Sequence, residues 1–124
     1  MRNTFFLDLD GTLVQHLEDF ELVHETNFLP VLPGAKEQTN KWHCNGDMII
    51  ITTARPESIR KLTETQLQNA GIVYDLLIMG IGAGDRILVN DKSESGRNKA
   101  FAFNVERNKD GVKDITMWDD IKAR

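Results

Sequence analysis

Two aspartates, Asp8 and Asp10, stand behind the apolar run Phe5-Phe6-Leu7 and directly before Gly11-Thr12. At the end of a strand, residues two apart can face the same side of a sheet. Their carboxylates repel unless a divalent cation holds them together. A carboxylate placed there can attack phosphorus and carry an aspartyl-phosphate. Its neighbour can protonate the leaving oxygen and later activate water. Gly11 lets the backbone turn sharply and approach a ligand. The plain alternative is a solvated turn in which Asp and Gly only shape the bend.

The elements that would position these residues are readable as apolar runs. Phe5–Leu7, Met48–Ile51, Leu76–Met79 and Ile87–Val89 read as short strands covered on both faces, and Ala100–Val105 is a weaker fifth. Helical patterns lie between them. Ala35–Asn45 ends at Gly46. Pro56–Ala70 has Pro at its first position, Glu57 in the first turn and Gly71 at the left-handed cap. Thr116-Met117-Trp118-Asp119 fits a capping box with Asp in place of Glu, so a short helix is expected to close the chain. Alternating strands and helices imply an α/β fold, a three-layer Rossmann-like parallel sheet with helices on both faces. In such a sheet ligands bind outside the carboxyl ends of the strands. Asp8, Thr53 and Asp91 each follow one of these runs, so the topology would bring them to one edge.

The segment Asp8-Leu9-Asp10-Gly11-Thr12 after an apolar strand resembles the first motif of the haloacid dehalogenase (HAD) superfamily of phosphohydrolases. The resemblance implies that Asp8 is the nucleophile and a Mg²⁺ ligand. Asp10 would be the general acid/base, its backbone carbonyl also meeting the metal. Ile51-Thr52-Thr53-Ala54-Arg55-Pro56 is similar to the T-G-R-P form of the second motif, which favours Thr53 over Thr52. The Thr53 hydroxyl, the amides of Ala54 and Arg55, and Gly11 would bind phosphoryl oxygens, with Arg55 adding a cation. Ile87-Leu88-Val89-Asn90-Asp91 matches the fourth motif, with Asp91 as the remaining metal ligand. Many relatives carry a second acid there; this chain has Asn90 before Asp91 and Glu94 after it, and either could complete the set. The third-motif cation is Lys92, at the carboxyl end of that run, or Arg86, at its start.

Size constrains the substrate. With 124 residues the chain is read as one catalytic domain, residues 1–124. Neither the stretch from Val14 to Pro33 nor that from Thr53 to Ile87 has room for an inserted cap domain. The resemblance is therefore to a capless member, with residues 15–30 as a short flap. An open site admits a large substrate, or is covered by neighbouring copies in a homo-oligomer. The stretch Thr53–Lys92 is similar to small members associated with capsular and lipopolysaccharide sugar pathways, which points to a sugar phosphate or another small phosphorylated metabolite.

Composition narrows the alternatives. The net charge is −4, with 15 Lys and Arg against 19 Asp and Glu, and the flap is acidic, which weighs against nucleic acid held by charge. A polynucleotide 3′-phosphatase-like activity is thus the lesser enzymatic reading. Hydrophobic residues make up 40% and charged residues 27%, as in a globular domain, and no window is apolar enough to span a bilayer. A single cysteine, Cys44, and no signal-like opening suit a reducing, cytoplasmic setting. His16, His24 and His43 make no metal-spacing pattern with it. Gly80, Gly82 and Gly84 are spaced G-x-G-x-G and follow the third run, so a dinucleotide site is not expected. Two non-enzymatic readings remain beside the hydrolase: a phosphoacceptor signalling domain, and a degenerate HAD-like domain that binds without turnover, for which Asn90 is the best argument.

Overall fold

A computed structural model describes residues 2–17 and 26–115. Its centre is a sheet of three parallel strands, β1 (Thr4–Asp8), β2 (Met48–Thr52) and β3 (Leu76–Ile78), in the order β1-β2-β3. Helix α1 (Ala35–Cys44) connects the first pair. A 3₁₀ turn at Glu57–Ile59 and helix α2 (Arg60–Ala70) connect the second. This is an open parallel α/β sheet of the Rossmann-like class that the sequence implies.

The register explains the core. Phe5 pairs with Ile49, and Leu7 with Ile51, which in turn pairs with Leu77. In a pleated sheet these share one face. They join Ala35 and Trp42 of α1 and Leu67 of α2 in one cluster, with the Phe5 and Trp42 rings stacked at 4.0 Å. The other face carries Phe6, Leu76 and Ile78, and there Phe6 is 56% exposed.

Helix ends follow local chemistry. Gly71, at φ 71°, caps α2, and Ile72 N–H donates to the Leu67 carbonyl at 3.2 Å, a closure that needs a left-handed residue. The start of α2 differs from expectation. Pro56 is extended at ψ 151° and stands before a 3₁₀ turn, and the α-helix begins only at Arg60. Ile59, at φ −112° and ψ 25°, separates the two.

The expected fourth strand does not form. Ile87–Val89 pairs with nothing among the described residues, and Ile87 and Val89 are 86% and 90% exposed. An apolar run becomes a strand only when a neighbour meets its backbone groups. Here the run lies past the Gly80–Gly84 loop and makes local bonds instead. Arg86 Nη1 donates to the carbonyls of Gly82 and Gly84, and Asn90 Nδ2 to that of Asp91. Ala100–Val105 is likewise without strand pairing. The chain returns to the core only at Val112, whose N–H donates to the Pro33 carbonyl at 3.2 Å. The Gln38 side-chain amide in turn donates to the carbonyls of Val112 and Lys113. The expected helix from Thr116 lies outside the described residues, as does the central part of the flap, 18–25.

Candidate functional site

Parallel strands in register deliver their carboxyl ends together. Asp8 pairs with Thr52, and Thr52 with Ile78. Beyond the strands, Thr53 N–H donates to the Ile78 carbonyl, Ile81 N–H to that of Thr53, and Gly80 N–H to that of Arg55. These bonds fasten the loops after β2 and β3 to each other at the edge where Asp8 stands.

After β1 the chain turns tightly. Leu9 is buried, and its carbonyl accepts from the amides of Thr12, Leu13 and Val14. Gly11 lies at φ 89°, and its N–H donates to the Val14 carbonyl at 2.8 Å. Asp8 is exposed, and Thr12 Oγ1 donates to its Oδ2 at 3.2 Å. The nucleophile expected from sequence is thus open to solvent and oriented by a neighbouring hydroxyl.

Asp10 points into a different environment. Arg55 Nε donates to its Oδ2 at 3.0 Å and Nη2 to its Oδ1 at 2.7 Å. The Arg55 side chain is 4% exposed, and its Nη1 donates to Thr63 Oγ1 and to Gln66 Oε1. A guanidinium committed to four bonds in the interior is a structural partner of Asp10 and is not presented to a phosphate at the open edge. Thr53 stands at the expected edge but is buried, and its Oγ1 accepts the Arg55 N–H at 3.1 Å. Ala54 beside it is exposed.

The residues of the expected third and fourth motifs are placed elsewhere. Asp91 is 82% exposed and pairs with Lys99 at 3.3 Å. Lys92 and Glu94 are exposed, and Arg86 folds back on its own loop. Asp91, Lys92 and Arg86 stay away from Asp8 and Asp10, bonding only locally or standing exposed, because the strand expected to deliver them does not form. The expected Mg²⁺ site can be tested on its donors. Among the described residues no three His, Cys, Asp or Glu side chains stand close enough to hold an ion; Asp8 ends β1, the Asp10 backbone carbonyl follows it, and Asp91 does not join them.

Several groups at this edge were not expected from sequence. Asn108, at φ 59°, is the one non-glycine residue in the left-handed region among those described. Its N–H donates to the Gly11 carbonyl at 3.0 Å; its side chain accepts from His16 N–H at 2.6 Å and donates to the His16 carbonyl at 3.1 Å. Asparagine tolerates this conformation because its short amide can bond locally. The Arg107 side-chain stem lies over Gly11, with Cγ 3.0 Å from where a Cβ would sit. The base of the flap is closed by Gln15 N–H donating to the Pro30 carbonyl at 2.9 Å. Sequence did carry one usable signal for Thr63 and Gln66. They are polar residues in the stripe that runs from Ile59, just before α2, to Leu67 within it, and all four are buried.

No protein-family model matches this sequence, and no curated protein matches it. Two solved structures are similar. One is a target protein from Vibrio cholerae, with TM-score 0.53 and 21% identity, covering 73% of this chain and 81% of that one. The other is a D,D-heptose 1,7-bisphosphate phosphatase from B. bronchiseptica, solved with magnesium and phosphate. It aligns with TM-score 0.49 and 20% identity over 67% of this chain and 52% of that one. At 21% identity the first likeness is one of fold. The fold it supports is the open parallel α/β sheet whose carboxyl edge carries Asp8 and Asp10.

Proposed function

We propose that the chain is a phosphomonoester hydrolase that transfers the phosphoryl group to Asp8. The observation that carries this reading is the division of labour between two carboxylates two residues apart. Asp8 is open at the sheet edge, whereas Asp10 is held by Arg55. Asp8 would attack phosphorus as the bond to the leaving oxygen breaks, and Asp10, having first taken up a proton from solvent on a lone pair that Arg55 leaves free, would pass that proton to the leaving oxygen. Water would then attack the aspartyl-phosphate, losing a proton to Asp10 as the bond to Asp8 breaks. Each Asp10 oxygen keeps a lone pair beyond its bond to Arg55.

The substrate class is a sugar phosphate or another small phosphorylated metabolite, acting at a capless and therefore open edge. The test is hydrolysis of an aryl phosphate and of a panel of sugar phosphates by the purified chain, with and without added Mg²⁺. Asp8→Asn is expected to abolish turnover; full activity in that variant would overturn the reading. A second reading, a binding domain without turnover, is favoured by the position of Asp91 away from Asp8. It predicts no hydrolysis by the unaltered chain, together with saturable binding of phosphate that Asp8→Asn changes.

A further inference from the structure

A buried glutamine is costly unless both ends of its amide are satisfied. Gln66 of α2 meets that condition by joining two parts of the site. Its Oε1 accepts from Arg55 Nη1 at 2.5 Å, and its Nε2 donates to the Thr26 carbonyl at 2.8 Å. Three residues on, Asn69 Nδ2 donates to the carbonyl of Asn27 at 2.9 Å. The two amides lie on one face of the helix, so the returning end of the flap is pinned to α2 at consecutive carbonyls. Thr26 also shapes that end, its Oγ1 donating to the Phe28 carbonyl and accepting the Phe28 N–H. A bidentate pair directs a carboxylate only as well as its guanidinium is itself held. Thr63 and Gln66 hold Arg55 at the nitrogen that faces away from Asp10.

We propose that Gln66 is a positioning residue for Asp10, and that through it the seating of the flap end at Thr26 sets the orientation of that carboxylate. The proposal rests on the reading of Asp10 as the group that protonates the leaving oxygen. An acid that is displaced matters most for leaving groups that cannot depart without a proton. In Gln66→Leu, kcat/KM for alkyl phosphates should fall at least about tenfold more than for p-nitrophenyl phosphate, a fraction of what general acid catalysis supplies. Equal losses across the series would overturn the proposal, since a partly unfolded or weakly binding enzyme behaves that way. If Gln66→Leu does not fold, Thr63→Val tests the same guanidinium nitrogen. It should steepen the leaving-group dependence, and Thr63→Ser should restore it.

Two measurements decide the relay without turnover. The unfolding free energies of Gln66→Leu and Asp10→Ala should be non-additive in the double variant, because both act through Arg55; additivity would overturn the link. Hydrogen exchange at Phe28 N–H should quicken in Asp10→Ala as well as in Gln66→Leu, because coupling between sites is reciprocal. Unchanged protection in Asp10→Ala would overturn the coupling to the flap. Full activity in Asp8→Asn would remove the phosphoryl-transfer reading and leave these two measurements to judge the relay.

Discussion

Arg55 grips both carboxylate oxygens of Asp10, at 3.0 Å through Nε and 2.7 Å through Nη2, across 45 residues of sequence. Removing the guanidinium leaves a half-buried carboxylate and the polar atoms of Thr63 and Gln66 without this partner. Arg55→Met should cost about 2 kcal/mol, below the usual range for breaking a buried pair because Asp10 is partly solvated. Arg55→Lys should recover little, since one ammonium cannot span both oxygens and still reach Thr63 and Gln66. Urea denaturation reads both; an unchanged midpoint in Arg55→Met would show that the pair is incidental.

Asn108 serves the loop after β1 with its backbone conformation and its side chain together. Asn108→Ala loses both side-chain bonds to His16 and keeps a left-handed backbone that alanine resists, for about 2 kcal/mol in all. Asn108→Gly loses the same bonds but adopts the conformation freely, so it should be less destabilising by about 1 kcal/mol. Thermal unfolding of the pair gives the order, and the reverse order would refute this account.

Three glycines with positive φ separate strain from collision. At Gly46 (φ 85°) a Cβ would meet nothing within 4 Å, so Gly46→Ala should cost only the left-handed penalty, about 1–2 kcal/mol. At Gly11 the contact is the flexible Arg107 stem, and the cost should be similar. At Gly111 a Cβ would lie 2.5 Å from the Pro33 carbonyl oxygen, a backbone atom. Gly111→Ala should therefore be the most destabilising of the three by thermal melt.

Glu57 and Arg60 form a bidentate pair at the start of α2, at 2.7 and 2.8 Å, and Arg60 Nη2 also donates to the Leu77 carbonyl. The hydrogen bond from Arg60 holds the Glu57 carboxyl below its ordinary value of 4.5. A lowered folded-state value means that the stabilisation is present above the unfolded value and lost as pH falls through the folded one. The melting-temperature difference between the unaltered chain and Glu57→Gln should therefore be small, constant near neutrality, and vanish in acid. A difference that grows on acidification would contradict the assignment.

What the sequence made legible is local. Phe5–Leu7, Met48–Ile51 and Leu76–Ile78 form strands where short apolar runs predict them, and Gly71 caps α2 because a left-handed closure needs glycine. Asp8 stands at the edge because strand ends follow from strand positions. Ile87–Val89 carries the same pattern without the outcome, because pairing depends on a partner that the run itself does not encode. Arg55 was expected to face a phosphate. Its direction is decided by Thr63 and Gln66, 8 and 11 residues further on, and by Asp10 far behind it. Asn108 has no motif at all, and its role exists only once the chain has folded back on residues 11–16.

That fold-back bears on the order in which the protein is made. The bonds between Asn108 and His16 join residues 92 apart, and those from Gln38 to Val112 and Lys113 span 74 and 75. Asp8 and Gly11 leave the ribosome ahead of residues 106–113, and their loop gains its last fastenings only after those residues have been synthesised. The loop after β1 is thus translated well before the segment that completes it, so a nascent chain stalled before Asn108 would carry Asp8 without the clamp that holds its loop.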